Sequence, residues 1–85
     1  MDQIIIDVRE PHEYMQSHVE GALNIPLSQL SHTHEKLVSI PKDSFVILYC
    51  RSGGRSSAAL SALKSMGYTN LINGINEERV NSNYL

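Results

Sequence analysis

The chain has a single cysteine, Cys50, among its 85 residues. One cysteine excludes an internal disulfide, a redox cycle between two thiols of this chain and a metal site built mainly from thiolates. A cysteine without further context is most often a small buried apolar residue. Any reactive role for Cys50 must therefore be argued from the residues around it.

Long runs of like charge and long apolar segments are also absent. Seven Lys and Arg residues are set against nine Asp and Glu residues, so the chain lacks the basic surface typical of nucleic-acid binders. The longest apolar runs, such as Phe45 to Cys50, are too short to span a bilayer, and residues 1 to 20 lack a basic segment followed by an apolar one. We expect no nucleic-acid or membrane partner. We also expect a cytoplasmic protein, or a periplasmic one if an export signal has been removed.

The length limits the number of hydrophobic cores. Eighty-five residues, of which 41% are hydrophobic, can close one core. We therefore expect a single domain over residues 1–85, acting as a monomer.

Apolar runs alternate with segments of helical character along the chain. Strands are expected at 3–8, 22–25, 45–50 and 70–72, and helical segments at 11–17, 28–30, 32–40, 56–66 and 75–80, with Asn73-Gly74 as a turn. This alternation predicts an α/β fold with a small, mainly parallel sheet flanked by helices. Ligands of such sheets bind beyond the carboxyl ends of the strands, which is where Cys50 falls.

The residues that follow Cys50 favour an anion. The segment Cys50-Arg51-Ser52-Gly53-Gly54-Arg55-Ser56 joins a strand end to a helix start. Adjacent glycines allow successive backbone N–H groups to curl inward, and the helix dipole adds positive potential. The same groups and the two arginines lower the pKa of a nearby thiol and attract an anionic substrate. Cys50 is therefore predicted to be a nucleophile.

Four separated motifs carry a resemblance to the rhodanese family. They are Asp7-Val8-Arg9 at the first strand, Glu13-Tyr14 in the first helix, the stretch from His18 to Pro26 that reads HVEGALNIP, and the loop from Cys50 to Ser56. In this order they resemble rhodaneses over most of the chain. One departure follows the last strand, where the family often has Gly-Gly and aromatic residues and this chain reads Gly74-Ile75-Asn76.

The resemblance implies a sulfurtransferase with a rhodanese-like fold and with no metal or other cofactor. Cys50 would take a sulfane sulfur from thiosulfate as a persulfide, release sulfite, and pass the sulfur to cyanide or to a thiol such as thioredoxin or glutathione. The loop backbone, with Arg51, Ser52, Gly53, Gly54 and Arg55, would form the anion cradle. Arg51 is the expected contact of the sulfonate, and Arg55 either does the same or turns to a carboxylate such as Asp7.

Other polar residues receive supporting or surface roles. Asp7 and Arg9 are either a solvated strand end or, as the family match favours, a structural pair beneath the loop, and Ser56 is expected to support it. His18 is expected to be a hydrogen-bonding scaffold, because a preformed thiolate needs no base. A further set of residues is expected to lie at the surface and to bind no metal: His32, His34, Glu77, Glu78 and Arg79.

Two other functions remain open from the sequence. A phosphatase or arsenate reductase of the same fold would have five residues between its cysteine and arginine, whereas Cys50 and Arg55 have four between them. That shorter loop favours a smaller, sulfur-centred ligand. A non-catalytic sulfur carrier or partner-binding module is the other alternative, although inactive family members usually lack the loop cysteine.

Overall fold

Parallel strands and helices alternate through the computed structural model, which describes residues 3–31 and 33–85. The strands are β1 (Gln3–Asp7), β2 (Leu23–Asn24), β3 (Phe45–Cys50) and β4 (Leu71–Asn76). The helices are α1 (Pro11–Gln16), α2 (Glu35–Val38), α3 (Gly54–Ser65) and α4 (Glu77–Tyr84), with a short 3-10 helix at Leu27–Gln29. In the described residues the sheet has four strands in the order β2-β1-β3-β4, all parallel. The predicted α/β fold with a parallel sheet flanked by helices is confirmed.

The side chains of a strand alternate between the two faces of the sheet, and here both faces are buried. On β3, Val46, Leu48 and Cys50 face a cluster that includes Ala59 and Leu63 of α3. The intervening residues of β3, Ile47 and Tyr49, belong to a second cluster on the opposite face. Its other buried members are Ile5, Val19, Ala22 and, from α4, Val80. Each face of the sheet thus has its own core. Burial on both faces requires apolar residues at every position of a central strand, and β3 is such a run.

The topology brings the starts of two helices to Cys50. Cys50 ends β3, which pairs with both β1 and β4, and α3 starts four residues later at Gly54. On the other side, Cys50 is in register with Asn76, the residue that caps the start of α4. The carboxyl end of β3 is therefore flanked by the amino-terminal ends of α3 and α4.

The expected turn at Asn73-Gly74 is wrong. The strand continues to Asn76, with an irregularity opposite Leu48 and Tyr49 that moves the pairing from Asn73 to Ile75. A β-carbon on Gly74 would lie 2.6 Å from Val80 and 2.9 Å from Ile47. Gly74 is thus required where α4 packs tightly against the sheet, and an Asn-Gly pair is here a bulge instead of a turn.

Several predicted boundaries also differ from the observed ones. The helix expected at 32–40 is only Glu35–Val38, because the side chain of His34 accepts a hydrogen bond from the Lys36 N–H and caps its start. His32 lies outside the described residues. The helix expected from residue 56 begins at Gly54, and the last helix begins at Glu77 and not at Ile75. In the described part of the chain, none of the helices has the length and apolar character needed to cross a membrane.

Candidate active site

The thiol of Cys50 is held by backbone N–H groups of the loop that follows it. Its Sγ accepts hydrogen bonds from the N–H of Gly53 at 3.1 Å and of Ser56 at 3.4 Å, and lies 3.4 Å from the Ser56 hydroxyl. The residue is only 2% exposed, yet it is among the residues that line a surface cavity. The prediction that Cys50 lies between a strand and a helix is confirmed.

This environment favours the thiolate. Burial on its own raises the pKa of the Cys50 thiol, but hydrogen bonds from Ser56 and from the N–H groups of Ser52 and Gly53 outweigh it and hold the pKa at about 7. A free thiol is only a few per cent ionised at pH 7. Cys50 is therefore a thiolate for a large fraction of the time near neutral pH, as nucleophilic attack requires.

Asn73 of β4 anchors the loop, and the sequence analysis missed it. Its Oδ1 accepts hydrogen bonds from the Ser56 hydroxyl at 2.7 Å and the Ile75 N–H at 3.0 Å, while its Nδ2 donates to the Gly53 carbonyl at 3.2 Å. The contacts with Ser56 and Gly53 hold the thiol-binding turn, and the contact with Ile75 fixes the Asn73 side chain to its own strand. The polar residue within an apolar segment was the available signal, but the Asn-Gly pair favoured a turn.

The backbone of the loop requires glycine at its tightest point. Gly53 has φ 98°, in the left-handed region, and directs its own N–H to the Cys50 sulfur. Ile75 also has a positive φ, 77°, although it is β-branched, and its side chain would meet a β-carbon on Gly53 at 3.4 Å. Two adjacent segments thus adopt left-handed backbone where they meet beside the thiol.

The two loop arginines have different partners. Arg55 turns to a carboxylate, which was one of the two alternatives, but the carboxylate is that of Glu13 in α1, at 2.7 and 3.1 Å, and not that of Asp7. This contact lowers the pKa of Glu13 to about 2. Arg51 is exposed, lines the cavity beside Cys50 and has no ion-pair partner among the described residues. Arg51 is therefore the loop cation available to a ligand.

Asp7 and Arg9 form a structural pair at the end of β1. The Asp7 side chain is fully buried, and both its oxygens accept from the Arg9 guanidinium at 2.7 to 3.1 Å. Arg9 also donates to the Ser17 carbonyl and lies over the Tyr49 ring. Because Arg9 borders the cavity next to Cys50, this pair supports one wall of the site and is not a solvated strand end.

His18 lies on the α1 side of the molecule. Its ring stacks on Tyr14 at 3.7 Å between centroids, and its Nδ1 is 2.8 Å from the Tyr14 carbonyl oxygen. It is not among the residues that line the cavity beside Cys50. The observed contacts are those of a scaffold residue.

The cavity beside Cys50 has a volume of about 520 Å³. Arg9 and Arg51 line one part of it, and the first turns of α4 contribute Glu77 and Glu78. The predicted solvated helix face is confirmed for Glu78, which is exposed, whereas Glu77 is half-buried. Across residues 3–31 and 33–85, no group of three or more His, Cys, Asp or Glu side chains is arranged to hold a metal ion.

The model of the rhodanese-like domain matches residues 1–77. The thiosulfate sulfurtransferase PspE of Escherichia coli is 43% identical over 68 residues, which is 80% of this chain and 64% of that protein. The probable adenylyltransferase/sulfurtransferase MoeZ of Mycobacterium tuberculosis is 41% identical over 80% of this chain but only 17% of its own length. The chain thus spans between about a sixth and two thirds of these relatives.

A solved structure of a rhodanese has the same fold over most of its length. A structure described as a rhodanese with anions from Escherichia coli superimposes with a TM-score of 0.81 at 36% identity, covering 92% of this chain and 91% of that one. The family match, the sequence relatives and the fold agree with the four motifs, the last of which is the loop from Cys50 to Ser56. The chain belongs to the rhodanese-like domain family.

Proposed function

We propose that this protein is a sulfurtransferase that carries sulfane sulfur on Cys50 as a persulfide. The donor is thiosulfate or a similar small anion, and the acceptor is cyanide or a thiol such as thioredoxin or glutathione. The observation that carries the proposal is the Cys50 thiol with a pKa of about 7, held by loop N–H groups at the edge of a cavity. Relatives named as sulfurtransferases support sulfur transfer as the general class of reaction.

In the first half-reaction the Cys50 thiolate attacks the outer sulfur of thiosulfate. A new bond forms between the two sulfurs as the bond between the outer sulfur and the sulfonate sulfur breaks. The electron pair of the broken bond leaves with sulfite. Arg51 balances the sulfonate charge during this step, since Arg55 is engaged by Glu13.

The persulfide is stabilised by the same loop. The first N–H groups of α3 have no partner within the helix, and those of Gly54 and Arg55 precede the N–H of Ser56 that already reaches the Cys50 sulfur. They supply donors for the negative charge on the outer sulfur. An acceptor nucleophile then attacks that sulfur, and Cys50 leaves as the thiolate from which the cycle began.

Turnover of thiosulfate with cyanide, measured as thiocyanate, tests the proposal. We expect Cys50→Ser to abolish turnover while the fold is kept. We expect Arg51→Gln to raise KM for thiosulfate by about tenfold, because a charge-assisted contact worth ~1.4 kcal/mol is lost. Arg79→Gln is the matched control, since Arg79 is exposed and does not line the cavity. Turnover that survives in the Cys50→Ser variant would refute the mechanism.

A further inference from the structure

The cavity beside Cys50 has walls of opposite charge. Arg51 and Arg9 contribute positive charge from the side of the loop and of β1, and Glu77 and Glu78 contribute negative charge from α4. The formal charges of these four side chains cancel. A cavity that served only a dianionic donor would gain nothing from the two carboxylates, because like charge disfavours binding.

Internal contacts leave one charge of each sign free. Arg9 is engaged by Asp7, and the Glu77 carboxylate accepts a hydrogen bond from the Ser17 hydroxyl at 2.6 Å. Among the described residues, neither Arg51 nor Glu78 has a side-chain hydrogen bond or an ion-pair partner. The ligand-accessible charges of the cavity are therefore the Arg51 guanidinium and the Glu78 carboxylate.

We infer that the sulfur acceptor of this cavity is a small aminothiol, whose ammonium group binds Glu78 while its thiolate attacks the Cys50 persulfide. This inference rests on the proposed sulfur transfer and names the chemical class of its acceptor. A cavity of about 520 Å³ is in the range that accommodates small ligands. Arg51, free once sulfite has left, is available to a carboxylate if the aminothiol carries one.

Aminothiols are also suited to the chemistry of the second half-reaction. The nearby ammonium lowers the pKa of their own thiol, so that more of it is thiolate near neutral pH. The acceptor sulfur forms a bond to the outer sulfur of the persulfide, and the bond between that sulfur and Cys50 breaks. The electron pair goes to Cys50 as thiolate, and the outer sulfur, which takes up a proton from solvent before it is attacked, keeps that proton in the persulfide product.

Three thiols of similar size separate this inference from a general preference for thiols. Cysteamine carries an ammonium group, 2-mercaptoethanol a hydroxyl and 3-mercaptopropionate a carboxylate at the corresponding position. Cys50 is first loaded with thiosulfate or inorganic polysulfide, and the persulfide is verified by intact mass. The rate of persulfide loss is then measured against each thiol and corrected for its thiolate concentration. We expect cysteamine to react about fivefold faster than 2-mercaptoethanol, and 3-mercaptopropionate to lack this advantage because Glu78 repels its carboxylate while Arg51 attracts it.

A substitution of Glu78 tests the assigned contact. Glu78→Gln is expected to remove the advantage of cysteamine over 2-mercaptoethanol, a ratio of two rates within one variant that a general structural disturbance would not change. Glu78→Asp is expected to restore part of it. Glu20→Gln removes an exposed carboxylate that does not line the cavity, and should retain the full advantage.

The outcomes distinguish the two proposals. A loaded persulfide that reacts equally with the three thiols, or an advantage of cysteamine that survives in Glu78→Gln, would overturn the aminothiol inference and leave sulfur transfer intact. Failure of both donors to load Cys50 would instead overturn the proposed sulfur transfer, and the aminothiol inference with it.

Discussion

At the scale of single residues, the reactivity of Cys50 depends on how a few hydrogen bonds are shared. The Ser56 hydroxyl has one proton and two acceptors, the Asn73 Oδ1 at 2.7 Å and the Cys50 sulfur at 3.4 Å. An ionised acceptor forms the stronger hydrogen bond. We therefore expect the hydroxyl to turn toward the sulfur when the thiolate forms, which favours ionisation of Cys50.

Replacement of the Ser56 hydroxyl tests this sharing. In Ser56→Ala the pKa of Cys50 should rise from about 7 toward the usual range of a thiol, because the thiolate loses a donor while burial still disfavours its charge. The pH dependence of alkylation by iodoacetamide measures this pKa. Ser57→Ala, at the neighbouring exposed position of α3, should leave it unchanged. The same pKa in Ser56→Ala as in the wild-type protein would show that the N–H groups alone set it.

Ile75 is the residue whose backbone is most unexpected. It is β-branched, yet its φ of 77° lies in the region that costs such residues about 1–2 kcal/mol. Rhodaneses often have a second glycine at this position. The Ile75 side chain packs beside Gly53 of the loop that follows Cys50. Strain of this kind persists where neighbouring contacts over-determine the backbone.

A pair of glycine substitutions measures that strain. Ile72→Gly, at an equally half-buried position of the same strand, should reduce the free energy of unfolding by about 2–4 kcal/mol through lost packing and added chain entropy. Ile75→Gly should cost less than half as much, because relief of the positive φ offsets the lost packing. Urea denaturation of the two variants provides the comparison. Equal losses would mean that the left-handed backbone at Ile75 carries no strain.

At the scale of secondary-structure elements, α1 is tied to the active loop by one carboxylate. Glu13 accepts the N–H of Glu10 at the start of α1 and also pairs with Arg55. The pKa of Glu13, about 2, lies below its ordinary value of 4.5 because Arg55 stabilises the charged form. A carboxyl group with a lowered pKa contributes stability that is complete above its unfolded pKa and is lost as the pH falls toward its folded pKa.

Glu13→Gln tests this connection, since glutamine still closes the start of α1. We expect the substitution to lower the free energy of unfolding at pH 6 by at most about 1 kcal/mol, because Arg55 is 36% exposed and solvent screens the pair. The difference should shrink as the pH falls below 4.5 toward 2. Glu20→Gln serves as the control for losing an exposed carboxylate. A stability difference that stays constant down to pH 3 would contradict the assigned ion pair.

The elements also show how far the sequence could lead. The β3 run and the loop after it predicted the fold and the position of Cys50, because a buried parallel strand and a glycine-rich loop each leave a local pattern. The partner of Arg55 and the anchoring role of Asn73 depend on contacts between α1, α3 and β4, which are distant in sequence. The Asn73-Gly74 pair was misread because the tight approach of Val80 and Ile47 to Gly74 has no local signature.

At the scale of the whole molecule, the order of the strands brings the residues of the site together. The chain has a formal net charge of −2, so overall charge does not attract an anionic donor. Because β3 is flanked by β1 and β4, its carboxyl end meets the Asp7 and Arg9 pair on one side and the start of α4 on the other. In the proposed reaction, local N–H groups and Arg51 therefore supply the attraction that the net charge does not.

The central claim is that Cys50 carries sulfur, and intact mass measurement tests it most directly. The reduced protein is incubated with thiosulfate, freed of excess donor, and its mass is recorded before and after addition of cyanide or a thiol. We predict a gain of one sulfur atom that maps to Cys50 and disappears when the acceptor is added. An unchanged mass, with Cys50 still reduced and accessible to alkylation, would contradict the persulfide mechanism with thiosulfate as donor.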